Sequence, residues 1–423
     1  MSASKLRLTG VAAVAIVTLA AGLVSWLNVR GDAHFPGEAS TVAETAQLVS
    51  RGAYLAQVGN CAGCHTERGG AAYAGGRGIA TPFGTVYSSN LTSDPRTGIG
   101  AWSAGDFWRA LHNGRSKGGR LLYPAFPYTS TTQVTRGDSD AIFAFLRIQP
   151  AAKRVNKAHE MRTPFNSQIA LAVWRALYFR PAVFAPQADK TQEWNRGAYL
   201  VRGLGHCVAC HSTRNALGAT RGKTELGGGL IPVQNWYAPS LASAVEAGVA
   251  DWNIEDVVAL LKTGTSAHGS VLGPMAEVVF RGTQHLADAD LRAIAVFLKG
   301  LPQSEVPSPT PAPTDPAVMS RGADLYKHRC ADCHGDEGQG ARGAYPPLTG
   351  NRKVTMAVAT NVVRVIFEGG FPPATLGNPR PYGMPPFGNT LSRAEVAAVA
   401  TYVRNAWGNR AAAVSELDVI TIR

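Results

Sequence analysis

The amino-acid sequence predicts an all-α protein: three tandem helical domains joined by linkers, preceded by one N-terminal apolar helix. Three observations predict it. A five-residue motif, Cys-x-x-Cys-His, occurs three times, a larger helical repeat surrounds each copy, and a long uncharged apolar stretch opens the chain. At 423 residues the chain exceeds one ordinary domain, and a usual size of roughly 100 to 200 residues gives two to four. With 45% hydrophobic and only 17% charged residues, a disordered or collagen-like chain is excluded.

The first element is the apolar stretch Leu8 to Val29, whose 22 residues suffice to cross a bilayer as a helix. Lys5 and Arg7 precede it, so the N-terminus stays cytoplasmic and everything after Arg30 lies on the other side; Trp26 sits where an interfacial anchor would. The same residues, 1–33, also read as a signal peptide, with Gly31-Asp32-Ala33 as a small-x-small cleavage site. Its length favours the uncleaved anchor, and both readings export the body. The only other long apolar run, Ile169 to Phe184, is broken by Arg175 and Arg180 and reads as interfacial or inter-domain.

Six cysteines in an exported chain would ordinarily form disulfides. Here they fall as Cys61-Ala62-Gly63-Cys64-His65, Cys207-Val208-Ala209-Cys210-His211 and Cys330-Ala331-Asp332-Cys333-His334, with none left over. This spacing is the attachment signal of a c-type haem: two thiols add to the vinyl groups as thioethers, and the adjacent His reaches the iron. Three covalently bound haem c groups are expected. A zinc site would need four ligands, and the motifs stand more than 120 residues apart; a thioredoxin-like redox pair would need a βαβ setting, and none surrounds the motifs.

Each motif lies in a larger repeat. Arg51-Gly52-Ala53-Tyr54-Leu55, Arg196-Gly197-Ala198-Tyr199-Leu200 and Arg321-Gly322-Ala323-Asp324-Leu325 open the three repeats as helices. Middle helical segments end in glycine: Trp102 to Gly114, Trp252 to Gly264 and Ala359 to Gly369, with Ser103 and Asn253 as candidate N-caps. Apolar-periodic helices close them, from Asp138 to Leu146, Asp288 to Leu301 and Ser392 to Trp407. The expected domains are 45–150, 190–301 and 317–408. Between them lie a connector, 151–189, and a proline-rich spacer, 302–316, and a tail, 409–423, follows. Pro307, Pro309, Pro311, Pro313 and Pro316 make the spacer extended and semi-rigid; the aromatic, basic connector either packs on a partner or the membrane surface or covers the neighbouring domains.

A methionine thioether opposite the histidine raises a haem's reduction potential, so a Met is expected downstream of each motif. Met275 in Gly273-Pro274-Met275 and Met384 in Tyr382-Gly383-Met384-Pro385-Pro386 are the candidates, each beside proline in a turn-rich segment and poorly placed for an apolar stripe. Met161, Met319 and Met356 are badly placed. The glycine-rich stretch Gly335 to Gly343 imitates a nucleotide loop but follows a haem motif and no strand, so it reads as a loop wrapping the haem.

After Ser50 the chain resembles the three-haem cytochrome c subunits of bacterial membrane-bound dehydrogenases that oxidise alcohols, aldehydes and gluconate in the periplasm. The resemblance rests on Thr81-Pro82-Phe83-Gly84-Thr85-Val86-Tyr87-Ser88, Leu122-Tyr123-Pro124-Ala125-Phe126-Pro127-Tyr128, Gly273-Pro274-Met275-Ala276-Glu277-Val278 and Asn378-Pro379-Arg380-Pro381-Tyr382-Gly383-Met384-Pro385. It implies three tandem cytochrome c domains at the periplasmic side of the inner membrane. It further implies electron transfer from a quinoprotein, flavoprotein or molybdopterin catalytic subunit to ubiquinone. The string Asn378 to Pro385 and the ending Trp407-Gly408-Asn409 stand slightly closer to molybdenum-dependent, aldehyde-oxidising systems.

One position departs from the family. Its first-domain string ordinarily carries Met as axial ligand where this chain has Phe126, which cannot ligate. The first haem is therefore expected to be five-coordinate or weakly ligated, with a lowered potential. His112 on the middle helix is a substitute ligand or an exposed surface residue. No nucleophile–base pair or carboxylate dyad is evident, so no catalytic residue is expected. The open first iron leaves a peroxidase-like enzyme or a free-standing carrier as alternatives to the electron-transfer subunit. The net charge of +12 suits acidic partners or anionic lipid, but the basic residues are dispersed and no nucleic-acid recognition module occurs.

Overall fold

The computed structural model describes residues 3–30, 44–221, 225–304 and 313–422. The candidate cleavage site Gly31-Asp32-Ala33, the side chains of Lys5 and Arg7, and most of the proline-rich spacer lie outside the described residues. The chain is mostly helical and packs as two compact units: residues 1–55 with 64–185, and residues 56–63 with 186–423.

In the first unit, α1 (Ala3–Val29) is long and apolar enough over Val11–Val29 to cross a membrane. α2 (Ala46–Val58) and α3 (Cys61–His65), whose residues 56–63 count with the second unit, come next, and α4 (Ala104–Asn113), α5 (Tyr128–Thr131), α6 (Arg136–Arg147) and α7 (Gln168–Tyr178) follow. The string Thr81 to Ser88 departs from an all-α reading. β1 (Gly78–Thr81) and β2 (Gly84–Tyr87) form a hairpin, and β3 (Glu160–Met161) from the connector adds to β2. Gly84 permits this: its φ is 131°, and a Cβ there would stand 2.2 Å from the Glu160 carbonyl oxygen.

The second unit contains both stretches expected as the second and third domains. It comprises α8 (Gln192–Arg202), α9 (Ile254–Thr263), α10 (Pro274–Arg281), α11 (Asp288–Lys299), α12 (Pro316–Arg329), α13 (Ala331–His334), α14 (Arg352–Thr355), α15 (Thr360–Glu368), α16 (Arg393–Asn405) and α17 (Glu416–Ile422). Two short hairpins interrupt the helices, β4 (Gly229–Ile231) with β5 (Trp236–Ala238) and β6 (Thr265–Ser266) with β7 (Gly269–Ser270). The halves on either side of the spacer are joined directly. Tyr237 N donates to Asn361 Oδ1 at 2.9 Å and Asn361 Nδ2 donates back to the Tyr237 carbonyl at 2.7 Å. Thr375 Oγ1 donates to the Thr263 carbonyl at 3.1 Å, and Arg352 pairs with Asp251. The tail is packed as well: Val414 and Val419 are buried, and Val414 N donates to Thr401 Oγ1 at 2.9 Å.

The expected helix ends are present. Ser103 and Asp106 form a capping box on α4, as do Ser392 and Glu395 on α16, whereas Asn253 occupies the N-cap of α9 without a side-chain hydrogen bond. Gly114, Gly264 and Gly369 each end a middle helix with φ of 59°, 82° and 67°.

The opening and closing helices cross at the same place in each repeat. A Cβ on Gly52 would stand 1.8 Å from the Ala141 carbonyl oxygen, on Gly197 2.0 Å from that of Ala293, and on Gly322 2.4 Å from that of Ala398. An aromatic residue four positions on, Phe145, Phe297 or Tyr402, closes each crossing. The arginine before each glycine pairs with an acid three positions before the alanine: Arg51 with Asp138, Arg196 with Asp290, Arg321 with Glu395.

Candidate haem-attachment sites

Each Cys-x-x-Cys-His motif directly follows an opening helix. The first forms α3, the second a 3-10 turn over Cys207–Ala209, and the third α13. Asn60 and His206, immediately before Cys61 and Cys207, have φ of 47° and 38°, a left-handed step that turns the chain between opening helix and motif. None of the six cysteines is joined in a disulfide. Burial pushes the Cys207 thiol up to about 12 and the Cys330 thiol up to about 11. Among the described residues, no cluster of three or more His, Cys, Asp or Glu side chains could hold a metal ion.

The three histidines share one arrangement. His65 Nδ1 lies 2.7 Å from the Ser89 carbonyl oxygen, His211 Nδ1 2.7 Å from that of Pro239, and His334 Nδ1 3.2 Å from that of Pro346. A carbonyl only accepts, so Nδ1 carries the proton and the lone pair falls on Nε2. Burial also lowers the pKa of all three imidazoles, against the opposing pull of those carbonyls. A neutral imidazole with its orientation fixed through Nδ1 is the form that ligates iron, so the residues fit a haem at each motif.

Sequence reasoning missed the carbonyl acceptors, because they follow their histidines at unequal intervals. The available signal lay beyond them. Ser89-Asn90-Leu91, Pro239-Ser240-Leu241 and Pro346-Pro347-Leu348 each place the acceptor two residues before a leucine.

Met275 lies in the first turn of α10, half-buried, with Pro274 starting the helix and Trp236 filling the space beside Gly273. Met384 is half-buried against the core of the third repeat and held by a two-bond bridge, Met384 N to the Gly370 carbonyl at 2.8 Å and Gly370 N to the Met384 carbonyl at 3.0 Å. Met356, by contrast, is buried. The loop from Gly335 to Gly343 folds back on its motif, with Gly340 N donating to the His334 carbonyl at 2.8 Å.

At the departing position, Phe126 sits half-buried in a turn, its N–H donating to the Tyr123 carbonyl at 3.0 Å. The reading of His112 as an exposed residue is corrected: it is 5% exposed, stacked on Trp108 at 4.6 Å, with Nδ1 2.7 Å from the Thr132 carbonyl oxygen. Its helix face is apolar and turned inward, which a lone histidine in the sequence did not reveal.

Paired cysteines on short turns beneath carbonyl-oriented imidazoles define the class, a c-type cytochrome. Residues 317–403 match the family model for cytochrome c oxidase, cbb3-type, subunit III. The chain is 38% identical over 91% of its length to the cytochrome c subunit of a quinone alcohol dehydrogenase from Gluconacetobacter polyoxogenes, covering 86% of that protein. It is 36% identical to the cytochrome c subunit of gluconate 2-dehydrogenase from Pantoea cypripedii, with 89% of each chain covered. To the cytochrome subunit of fructose dehydrogenase from Gluconobacter japonicus it is 32% identical over 95% of its length, covering 87% of that protein. The chain belongs to the family of dehydrogenase cytochrome c subunits.

Proposed function

We propose that this chain is a three-haem electron-transfer subunit. It takes electrons from a catalytic dehydrogenase subunit and passes them to ubiquinone at the periplasmic side of the inner membrane. The observation that carries the reading is the threefold recurrence of one proximal arrangement, a motif histidine whose Nδ1 is bound by a backbone carbonyl. Haem bound at these sites supplies reversible one-electron chemistry at iron.

The chain's own residues set the terms of that chemistry. Cys61 and Cys64, Cys207 and Cys210, and Cys330 and Cys333 are the thioether donors, and His65, His211 and His334 the proximal ligands. Met275 and Met384 would offer thioether sulfur to the iron in the second and third repeats, a ligand that Phe126 cannot offer in the first. The repeated Gly–Ala helix crossings support three cytochrome c domains, the last two docked in one compact unit. Such docking favours transfer because it fixes distance without reorganisation.

The anchor reading is supported by Asn28, near the end of α1. Its Nδ2 donates to the Ala172 carbonyl at 2.8 Å and its Oδ1 accepts from Arg175 Nε at 3.0 Å, so removing α1 would strip partners from a buried arginine.

Isolation from native membranes in mild detergent tests the function. Three covalently bound haems per chain and a stoichiometric large subunit carrying quinone, flavin or molybdopterin are expected, with reduction by that subunit's substrate. A chain that purifies alone and turns over peroxide would overturn the reading.

A further inference from the structure

Helix α7 is built inside out. Its only charged residue, Arg175, is 3% exposed, while Ile169, Val173 and Leu177, one turn apart on a single face, are 77%, 41% and 64% exposed. A helix facing water places its charges outward and its aliphatic side chains inward. Here Leu171 and Arg175 face in. The guanidinium lies over the rings of Phe179 and Tyr128, at 4.7 Å and 5.4 Å, and donates to Asn28 Oδ1 and the Asn113 carbonyl.

The same unit shows where this face lies. Asn28 is one residue from the end of the membrane-length apolar helix, and its bond to the Ala172 carbonyl fastens the middle of α7 to that point. Arg115 Nη2 donates to the Asn28 carbonyl at 2.8 Å, fixing the same level from the other side. Exposed arginines, Arg162 and Arg180, lie beyond either end of α7 in the chain, and the Trp174 and Tyr178 rings meet at 5.6 Å on α7 after the Ala172 carbonyl that Asn28 holds. Aliphatic side chains outward, with aromatic rings on the same helix and arginines beyond its ends, are what the boundary between acyl chains and headgroups selects.

We infer that α7 is a second membrane element, an interfacial helix whose Ile169–Val173–Leu177 face is immersed in the outer leaflet of the phospholipid bilayer beside α1. This deepens the anchor reading, on which it rests for the level of Asn28. A single spanning helix leaves the body free to swivel, and a second, in-plane contact fixes which side of the first unit faces the membrane.

The test is lipid photolabelling of the full chain, with whatever subunit purifies with it. The protein is reconstituted in nanodiscs of phosphatidylethanolamine and phosphatidylglycerol containing a lipid with an acyl-chain diazirine. Adducts are expected on peptides covering 168–183 as well as on Val11–Val29. Replacing Ile169→Gln, Val173→Gln and Leu177→Gln together should lower the 168–183 adducts about tenfold or more while leaving α1 labelling and haem content unchanged. Labelling of α1 without α7, whether water or a subunit covers the face, overturns the inference and leaves the anchor standing. Labelling of α7 in a chain whose mature N-terminus begins beyond Arg30 supports the inference and overturns the anchor. Absence of both adducts overturns both.

Discussion

Gly197 meets the backbone of Ala293 so closely that a Cβ on it would stand 2.0 Å from the Ala293 carbonyl oxygen. No side chain larger than hydrogen fits without parting α8 from α11, and these two helices bury Leu200, Leu291 and Phe297 between and beside them. Gly197→Ala should therefore destabilise the second unit by about 1–3 kcal/mol, the usual cost of overpacking. Thermal unfolding followed by circular dichroism would show a melting temperature lower by several degrees. Gly137→Ala is the control, since that position in α6 has nothing within 4 Å and an Ala there should be neutral or slightly stabilising. Equal behaviour of the two variants would remove the crossing from the account.

The Arg-Gly pairs, the glycine-ended middle helices and the three Cys-x-x-Cys-His motifs were all legible, because each is a local pattern at a repeated spacing. What stayed hidden depends on long-range placement. Thr81 to Ser88 reads as a loop in an all-α chain until Gly84 approaches Glu160, a partner 76 positions away, and a hairpin gains its third strand. The spacer's composition marks a boundary between repeats. It says nothing of Tyr237 and Asn361, whose reciprocal bonds join the flanking halves across 124 positions. Arg175 looked like an interruption of an apolar run, and only its inward orientation shows that the run is apolar on the outside.

Met275 and Met384 are expected to ligate iron, and Met275→Leu and Met384→Leu isolate each contribution with little change of volume. Each substitution should remove one methionine–iron charge-transfer band. Each should also lower one haem potential on the order of 0.1–0.2 V, a fraction of the roughly 0.8 V range that axial ligands command. Potentiometric titration of the full chain checks this. A potential and spectrum unmoved by Met275→Leu would return that residue to a packing role in α10.

Lys353 is half-buried where the halves of the second unit meet, with its Nζ 3.4 Å from the Ser270 carbonyl oxygen, and loss of hydration pulls its pKa down to about 8. Its unfolded value is 10.5, so between pH 8 and 10.5 the unfolded chain holds the extra proton. Stability of the second unit should then rise as pH increases through that window and be lowest, from this group, below pH 8. Lys353→Met should raise stability at pH 7 and abolish the alkaline gain, as read by denaturant titrations at both ends of the window. A lysine already satisfied by an anionic partner would show neither effect, and the replacement would cost stability.

The first repeat offers the sharpest test of ligand assignment, because the family resemblance leads one to expect methionine at Phe126, and His112 on α4 is the alternative ligand. Phe126→Met should convert the first haem to a six-coordinate, low-spin centre, add a third methionine–iron band and raise its potential toward the other two. His112→Ala discriminates the alternatives from the other side. If His112 does not reach the iron, its loss should cost stability through the stacked Trp108 and the Thr132 carbonyl, with the spectrum of the first haem unchanged. If it does, the native first haem is low-spin and becomes high-spin on substitution. The five-coordinate expectation requires a high-spin component in the native protein equal to one haem of three, measurable by electron paramagnetic resonance of the oxidised chain. Three low-spin signals that survive His112→Ala would sink both assignments and place an unrecognised ligand on the first iron.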